Sequence, residues 1–257
     1  MKLPKNKKIY FASDNHLGLE AELSSREREK IFVSWLEEVR KDAAAIYLLG
    51  DLFDFWFEYK QVVPRGFVRV LGKLAEITDS GIPIIFFVGN HDLWMKDYFQ
   101  NELGITVHHN PIEIKIEDTV IMIGHGDGLG PGDKGYKRMK KVFKNPFFQW
   151  LYRLIHPDLG IRFGQYLSQK NKLISGEEDI KFLGEDKEWL VAYSKSKLEK
   201  KHYDYFVFGH RHLPLAIDLG KQSQYINLGD WITHFTYGVF DGKTLSLKTW
   251  NKAGKDD

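Results

Sequence analysis

Five apolar runs in this chain each lead directly into a short cluster of aspartate, asparagine and histidine. Ile9 to Ala12 precedes Asp14-Asn15-His16, Ala45 to Leu49 precedes Gly50-Asp51-Leu52-Phe53-Asp54, and Pro83 to Val88 precedes Gly89-Asn90-His91-Asp92. Val120 to Ile123 precedes Gly124-His125-Gly126-Asp127, and Tyr205 to Phe208 precedes Gly209-His210-Arg211-His212. Short, uniformly apolar runs of this length are expected as strands buried on both faces. Between the first two lies Ser24 to Arg40, with Ile31, Phe32, Trp35, Leu36 and Val39 on one helical face and a Ser24-x-x-Glu27 capping box at its start. Gly66 to Asp79 repeats the amphipathic pattern, with Gly81 placed to end that helix. Strand, helix and strand therefore alternate, and in open α/β sheets ligands bind outside the carboxyl ends of the strands, where the clusters fall.

Later strands are shorter: Ile112, Ile114 and Ile116 alternate with charged residues before a Glu117-Asp118 turn. Tyr225 to Leu228, Gly238 to Phe240 and Leu245 to Trp250 add further short runs. The expected class is α/β, a two-sheet β-sandwich flanked by helices. No repeat or Pro/Gly linker divides it, so 1–257 is expected to be one domain.

The clusters point to a dinuclear metal site. Imidazole, carboxylate and amide oxygen suit two divalent ions such as Mn, Fe, Co or Zn, and a carboxylate can bridge a pair. Glycine before four of the five clusters fits sharp backbone exits. With no cysteine, thiolate ligands and disulfides are excluded, in keeping with a reducing compartment. The balance of 37 basic against 35 acidic residues argues against a nucleic-acid coat. The basic start, Met1 to Lys8, runs into too short an apolar stretch for a secretory signal, and no run approaches the roughly 20 apolar residues of a spanning helix. The expectation is a cytoplasmic protein whose membrane contact, if any, is peripheral.

In motif order and over nearly its whole length, the chain resembles the calcineurin-like metallophosphoesterases. The resemblance implies that Asp14, His16 and His212 hold one metal, that Asn90, His125 and His210 hold the other, and that Asp51 bridges them, with manganese the favoured ion. It implies His91 as the catalytic proton donor to a phosphoryl or leaving-group oxygen, oriented by Asp54. Other activities on this fold are hydrolysis of soluble nucleotides or nucleic acid, and non-catalytic scaffolding; the intact set of seven ligands favours catalysis.

The stretch from about 130 to 200 interrupts the motif series and is expected to be an inserted helical lid. From Lys134 to Arg153 it carries Lys134, Lys137, Arg138, Lys140, Lys141, Lys144 and Arg153 without an acidic residue, interleaved with Tyr136, Phe143, Phe147, Phe148, Trp150 and Tyr152. That mixture suits an anionic bilayer surface; the other readings are a hairpin that packs its aromatics on its own domain and, less in keeping with this much aliphatic bulk, a single-strand nucleic-acid surface. Gly50 to Trp56, His125-Gly126-Asp127 followed by Asp133 and Tyr136, and Leu228-Gly229-Asp230-Trp231 resemble the family branch that hydrolyses UDP-2,3-diacylglucosamine in lipid A biosynthesis. The resemblance implies an acylated UDP-sugar substrate, an inner-membrane location, and substrate contacts at Asp133, Tyr136, Arg162, Asn171 and Lys172. One position departs from the best-known members: His91 stands where they carry arginine.

Overall fold

A computed structural model of the chain describes residues 2–130, 134–179, 182 and 184–251, without the side chains of 134, 169 and 171–179. Two sheets face each other. The first has six strands in the order β11-β10-β1-β2-β3-β4: β1 (Lys8–Ala12), β2 (Ala43–Leu48), β3 (Ile84–Phe87) and β4 (Thr106–His108) run parallel, and β10 (Thr236–Phe240) and β11 (Leu245–Thr249) extend it antiparallel. The second has five in the order β5-β6-β7-β9-β8, namely β5 (Ile112–Ile116), β6 (Thr119–Ile123), β7 (Tyr205–Phe208), β9 (Ser223–Leu228) and β8 (Pro214–Gly220). Within it β6, β7 and β9 are parallel to one another. The expected two-sheet sandwich flanked by helices is the fold observed.

The period of two along each strand builds three apolar layers. From β1, Ile9 and Phe11 turn into the space between the sheets, with Tyr47, Phe87, Ile121, Ile123, Val207 and Ile226. Tyr10 and Ala12 turn outward, against α1 (Ser25–Val39) and α2 (Val68–Asp79), through Phe32, Trp35, Val70 and Leu74. A third layer covers the outer face of the second sheet, where Leu190 and Val191 of α7 (Trp189–Leu198) meet Phe206, Phe208 and Tyr225. Strands buried on both faces have no polar side chain to spare, which is why the chemistry collects at their ends.

Ser24 caps α1 as expected, its side chain accepting from Glu27 N while Glu27 returns a bond to Ser24 N. The second helix starts later than the pattern suggested, because Gly66 has φ 117 and Phe67 is the N-cap. At its end Gly81, with φ 86, donates to Thr78 O while Ile82 donates to Ile77 O, the paired bonds that close a helix through a left-handed residue.

Between β6 and β7 lie α4 (Lys134–Phe143), α5 (Pro146–Arg153), α6 (Pro157–Asp179) and α7. Asn145 caps α5, accepting from Phe147 N at 2.9 Å, and Pro146 occupies its first turn. Phe143 and Tyr152 pack inward against Trp94, whose indole donates to Phe143 O at 2.7 Å. Phe147, Phe148, Trp150, Leu151 and Leu154 stay exposed. Some aromatics of this stretch thus pack on the chain's own core and others face outward.

Candidate metal centre

Ends of strands from both sheets meet at one point. Asp14 and His16 follow β1, Asp51 follows β2, Asn90 and His91 follow β3, His125 follows β6, and His210 and His212 follow β7. Two sets of candidate ligand atoms, Asp14-His16-His212 and Asp51-His125-His210, each lie within 4.8 Å of one another, and His16-Asp51-His91 form a third set between them. Asn90 joins through its side-chain oxygen, 3.1 Å from His125 Nε2. Asp51 Oδ2 lies 3.3 Å from His125 Nε2 and 3.6 Å from His16 Nε2, so its carboxylate sits centrally.

Reaching this arrangement strains the backbone. Asp14, His16, Asp51, His210 and His212 all have positive φ, between 44° and 71°. Residues with side chains rarely occupy that region, and such outliers cluster at functional sites. The glycines serve a purpose that only partly matches the sharp exits expected of them. Gly50 does have φ 94, but among the other three the constraint is space. A Cβ on Gly89 would overlap Asp51 Oδ1, one on Gly209 would overlap Asp14 Oδ2, and one on Gly124 would lie 2.9 Å from Pro111.

The imidazoles of His125, His16 and His212 are each aimed by a partner on the other nitrogen, the usual way a protein fixes a ligating tautomer. His125 Nδ1 donates to Leu49 O at 2.7 Å. His16 Nδ1 lies 3.2 Å from Asp54 Oδ1, and His212 Nδ1 lies 3.5 Å from Asp230 Oδ2. Asp230 was not foreseen as part of the site. It also accepts the amides of Ile232, Thr233 and His234, which fixes it at the end of β9. Buried Arg28 reaches from α1 to the carbonyls of Asn15 and His16, at 2.5 and 3.1 Å, and holds the first motif from behind. Arg211 forms a buried two-pronged pair with Glu188 at 2.9 and 2.7 Å, which fixes the residue between His210 and His212.

Asp92 joins the second and third motifs, accepting from Gly89 N at 2.7 Å and Leu52 N at 3.0 Å. Burial, and then the nearby Asp51 charge, push its carboxyl up to about 8. Burial opposes a charge on His125, yet Asp51 and Asp14 outweigh it and push the imidazole up to about 10. The carboxylates thus make a strongly cation-seeking pocket. Burial, reinforced by His125, lowers His210 to about 3, keeping it in the neutral form that ligates metals.

Asp54, expected to orient His91, lies against both that imidazole and His16. The Asp54 carboxylate leans toward His16, and His91 Nδ1 stands 3.7 Å from it; that nitrogen meets the Asp54 carbonyl at 2.9 Å and Ser168 Oγ at 2.7 Å. Among the expected substrate contacts, Tyr136 hydrogen-bonds to Asp127, two residues from His125, together with Lys140. Arg162 is exposed on α6, Asn171 and Lys172 lie on the same helix, and Asp133 is outside the described residues.

The family model for calcineurin-like phosphoesterase matches residues 7–214, a span that includes every cluster above. This chain is a calcineurin-like phosphoesterase. The UDP-2,3-diacylglucosamine hydrolase of Porphyromonas gingivalis is 40% identical to it, over 94% of this chain and 97% of that protein. Proteins of the same name from Vibrio parahaemolyticus and Edwardsiella ictaluri are 30% and 27% identical, over 87% and 84% of this chain.

The residues of this phosphoesterase fit divalent metal. Its donors are nitrogen and oxygen only, and Asp14 Oδ1 is buried with no hydrogen-bond partner among the described residues, an arrangement costly without a cation. Substituting Gly89 by Ala should therefore displace the Asp51 carboxylate and lower metal affinity by about 10-fold or more. Gly135→Ala, with open space around its added methyl, should leave affinity unchanged. Metal content after gel filtration checks both, and full occupancy in Gly89→Ala would refute the cradle role of that glycine.

Proposed function

We propose that this phosphoesterase hydrolyses the pyrophosphate bond of UDP-2,3-diacylglucosamine, releasing UMP and 2,3-diacylglucosamine 1-phosphate. The observation that carries this reading is 40% identity to a protein of that activity along nearly the full length of both chains. In this reading Asp14, His16 and His212 hold one metal ion, Asn90, His125 and His210 the other, and Asp51 both. Two divalent ions bound there, manganese by preference and iron, cobalt or zinc compatible with the same donors, supply Lewis acidity at the phosphorus and acidify a water.

The protein's own residues supply the remainder of the chemistry. Water adds to the α-phosphorus, the bond to the bridging oxygen breaks, and the sugar 1-phosphate departs with a proton. His91 is positioned to deliver it from the imidazolium: Nδ1–H is engaged by Asp54 O and Ser168, which leaves Nε2–H for the reacting oxygen. Its imidazole stands edge-on to His16 at 4.6 Å, and in this reading it serves beside the metal ligands rather than as one of them. Lys140, which meets Asp127 alongside Tyr136, lines a cavity together with His125, and the pair suits contact with the sugar or phosphates.

Helices α4 to α6 are proposed as a lid that meets the cytoplasmic face of the inner membrane. Among the described residues no helix is long and apolar enough to cross a membrane. Phe147, Trp150, Leu154, Leu159 and Tyr166 are each more than half exposed, while Arg138 and Lys141 face solvent beside them. Exposed aromatics flanked by cations suit anionic lipid and would bring the enzyme to an acylated substrate.

Two measurements test these readings. Purified protein supplied with UDP-2,3-diacylglucosamine should release UMP, and His91→Ala should lower kcat by about 100-fold with both metals retained; absence of UMP sinks the substrate assignment, and wild-type kcat sinks the role of His91. In vesicle flotation, Arg138→Glu with Lys141→Glu should release the protein from anionic vesicles, as high salt should. Phe147, Phe148 and Trp150 changed to Ser should weaken binding even to uncharged vesicles. Wild-type protein that never floats would overturn the membrane reading.

A further inference from the structure

The inner face of α6 carries small residues one helical turn apart: Gly160, Gly164 and Ser168. Glycine within a helix costs roughly 1 kcal/mol relative to alanine, so two at this spacing call for a packing reason. The reason is the loop after Asp51. A Cβ on Gly160 would overlap the hydroxyl of Tyr59, and one on Gly164 would overlap the ring of Phe55. Both glycines are buried, and Tyr152 donates to Gly160 O at 2.6 Å. The two missing side chains let α6 lie directly on the segment 54–59. The next small residue along that stripe, Ser168, is thereby brought to Asp54 and His91.

Ser168 Oγ lies 2.7 Å from His91 Nδ1, 2.8 Å from the Asp54 carbonyl and 3.0 Å from Asp54 Oδ2. The carbonyl only accepts, so His91 Nδ1, 2.9 Å from it, carries the proton. The serine hydroxyl then accepts from Nδ1 and donates to Asp54, spanning the 3.7 Å between the imidazole and the carboxylate. We infer that Ser168 is a positioning residue: its hydroxyl links the Asp54 carboxylate to His91 and fixes that imidazole with Nε2 toward the reaction, only while α6 is seated on the 54–59 loop. The geometry stands by itself; its catalytic weight rests on the phosphoesterase reading above.

The outer face of the same helix bears Leu159, Phe163, Tyr166 and Leu167, all exposed. Whatever covers that face therefore presses on the helix that holds the catalytic imidazole. A contact of this kind acts through His91, whereas an independent substrate contact would not, and a double-mutant cycle separates the two.

Ser168→Ala should lower kcat by about 10-fold on UDP-2,3-diacylglucosamine with KM unchanged. The same change in a His91→Ala background should cost nothing further, and Ser168→Thr, which keeps the hydroxyl, should restore turnover. In the zinc-loaded protein with His91 neutral, imidazole 15N shifts should report the Nδ1–H tautomer throughout, with the Nδ1 resonance displaced in Ser168→Ala, where Asp54 O is left to accept alone, and unmoved in Ser168→Thr. A Ser168→Ala loss of equal size without His91, an effect on KM alone, or unchanged 15N shifts would overturn the proposal. Should the wild type not turn over this substrate at all, the activity reading fails, while the 15N measurement still decides the link between Ser168 and His91.

Discussion

Two carboxylates, Asp14 and Asp51, lie buried among the imidazoles where strands of both sheets end, and most of the surrounding structure serves to keep them there. An ion taken out of water costs several kcal/mol unless it is paired and hydrogen-bonded. Pairing is supplied unevenly. His210 N donates to Asp14 Oδ2 and His91 N to Asp51 Oδ1, both at 2.9 Å, so each carboxylate has one oxygen satisfied by backbone and another turned toward the imidazoles. That second oxygen is the one a cation would take. The site is thus assembled as an anionic cavity whose stability is linked to the ion it binds.

Holding seven donors on a common centre explains features that look unrelated. The left-handed backbone at five of those residues, the glycines that admit Asp14 and Asp51, and the ion pair between Arg211 and Glu188 all limit how far the loops can relax. The strain is local and the restraint is distributed. Arg28 holds the first loop from α1, Asp92 ties the second to the third, and Asn227 donates to Gly209 O at 2.6 Å behind the last. Geometry kept in this way does not depend on a bound ion alone.

Much of this was legible in the sequence because the informative signals are local. A buried run followed by Gly-Asp or Gly-His declares both a strand and its functional end, and the Ser24-x-x-Glu27 box marks a helix start to the residue. What was hidden depends on contacts distant in sequence. The strand Thr106–His108 is too short to show a period, and Pro214–Gly220 is an edge strand whose burial is mixed along its length. Asp230 looks like an ordinary turn residue until β9 brings it to His212. The spacing Gly160-x-x-x-Gly164-x-x-x-Ser168 was present as a signal, but its meaning required the loop it packs on. That Asp54 serves two histidines was hidden for a related reason, since only coordinates show its carboxylate 3.2 Å from His16 Nδ1 and 3.7 Å from His91 Nδ1.

A histidine at position 91, where the sequence resemblance led to an expectation of arginine, acquires a physical sense from this arrangement. An arginine there would be permanently charged and would stabilise a departing phosphate without giving up a proton. A histidine can exchange its proton, and for that it needs a fixed tautomer, which demands a partner on Nδ1. The chain supplies two, a backbone carbonyl from the metal-bearing core and a hydroxyl from α6. The first is present however the helices stand; the second exists only when α6 lies down on Phe55 and Tyr59. In the proposed mechanism, proton transfer at His91 and the seating of the apolar helix are coupled through one hydroxyl group, so that a surface engaging Leu159, Phe163 and Tyr166 would influence chemistry it never touches.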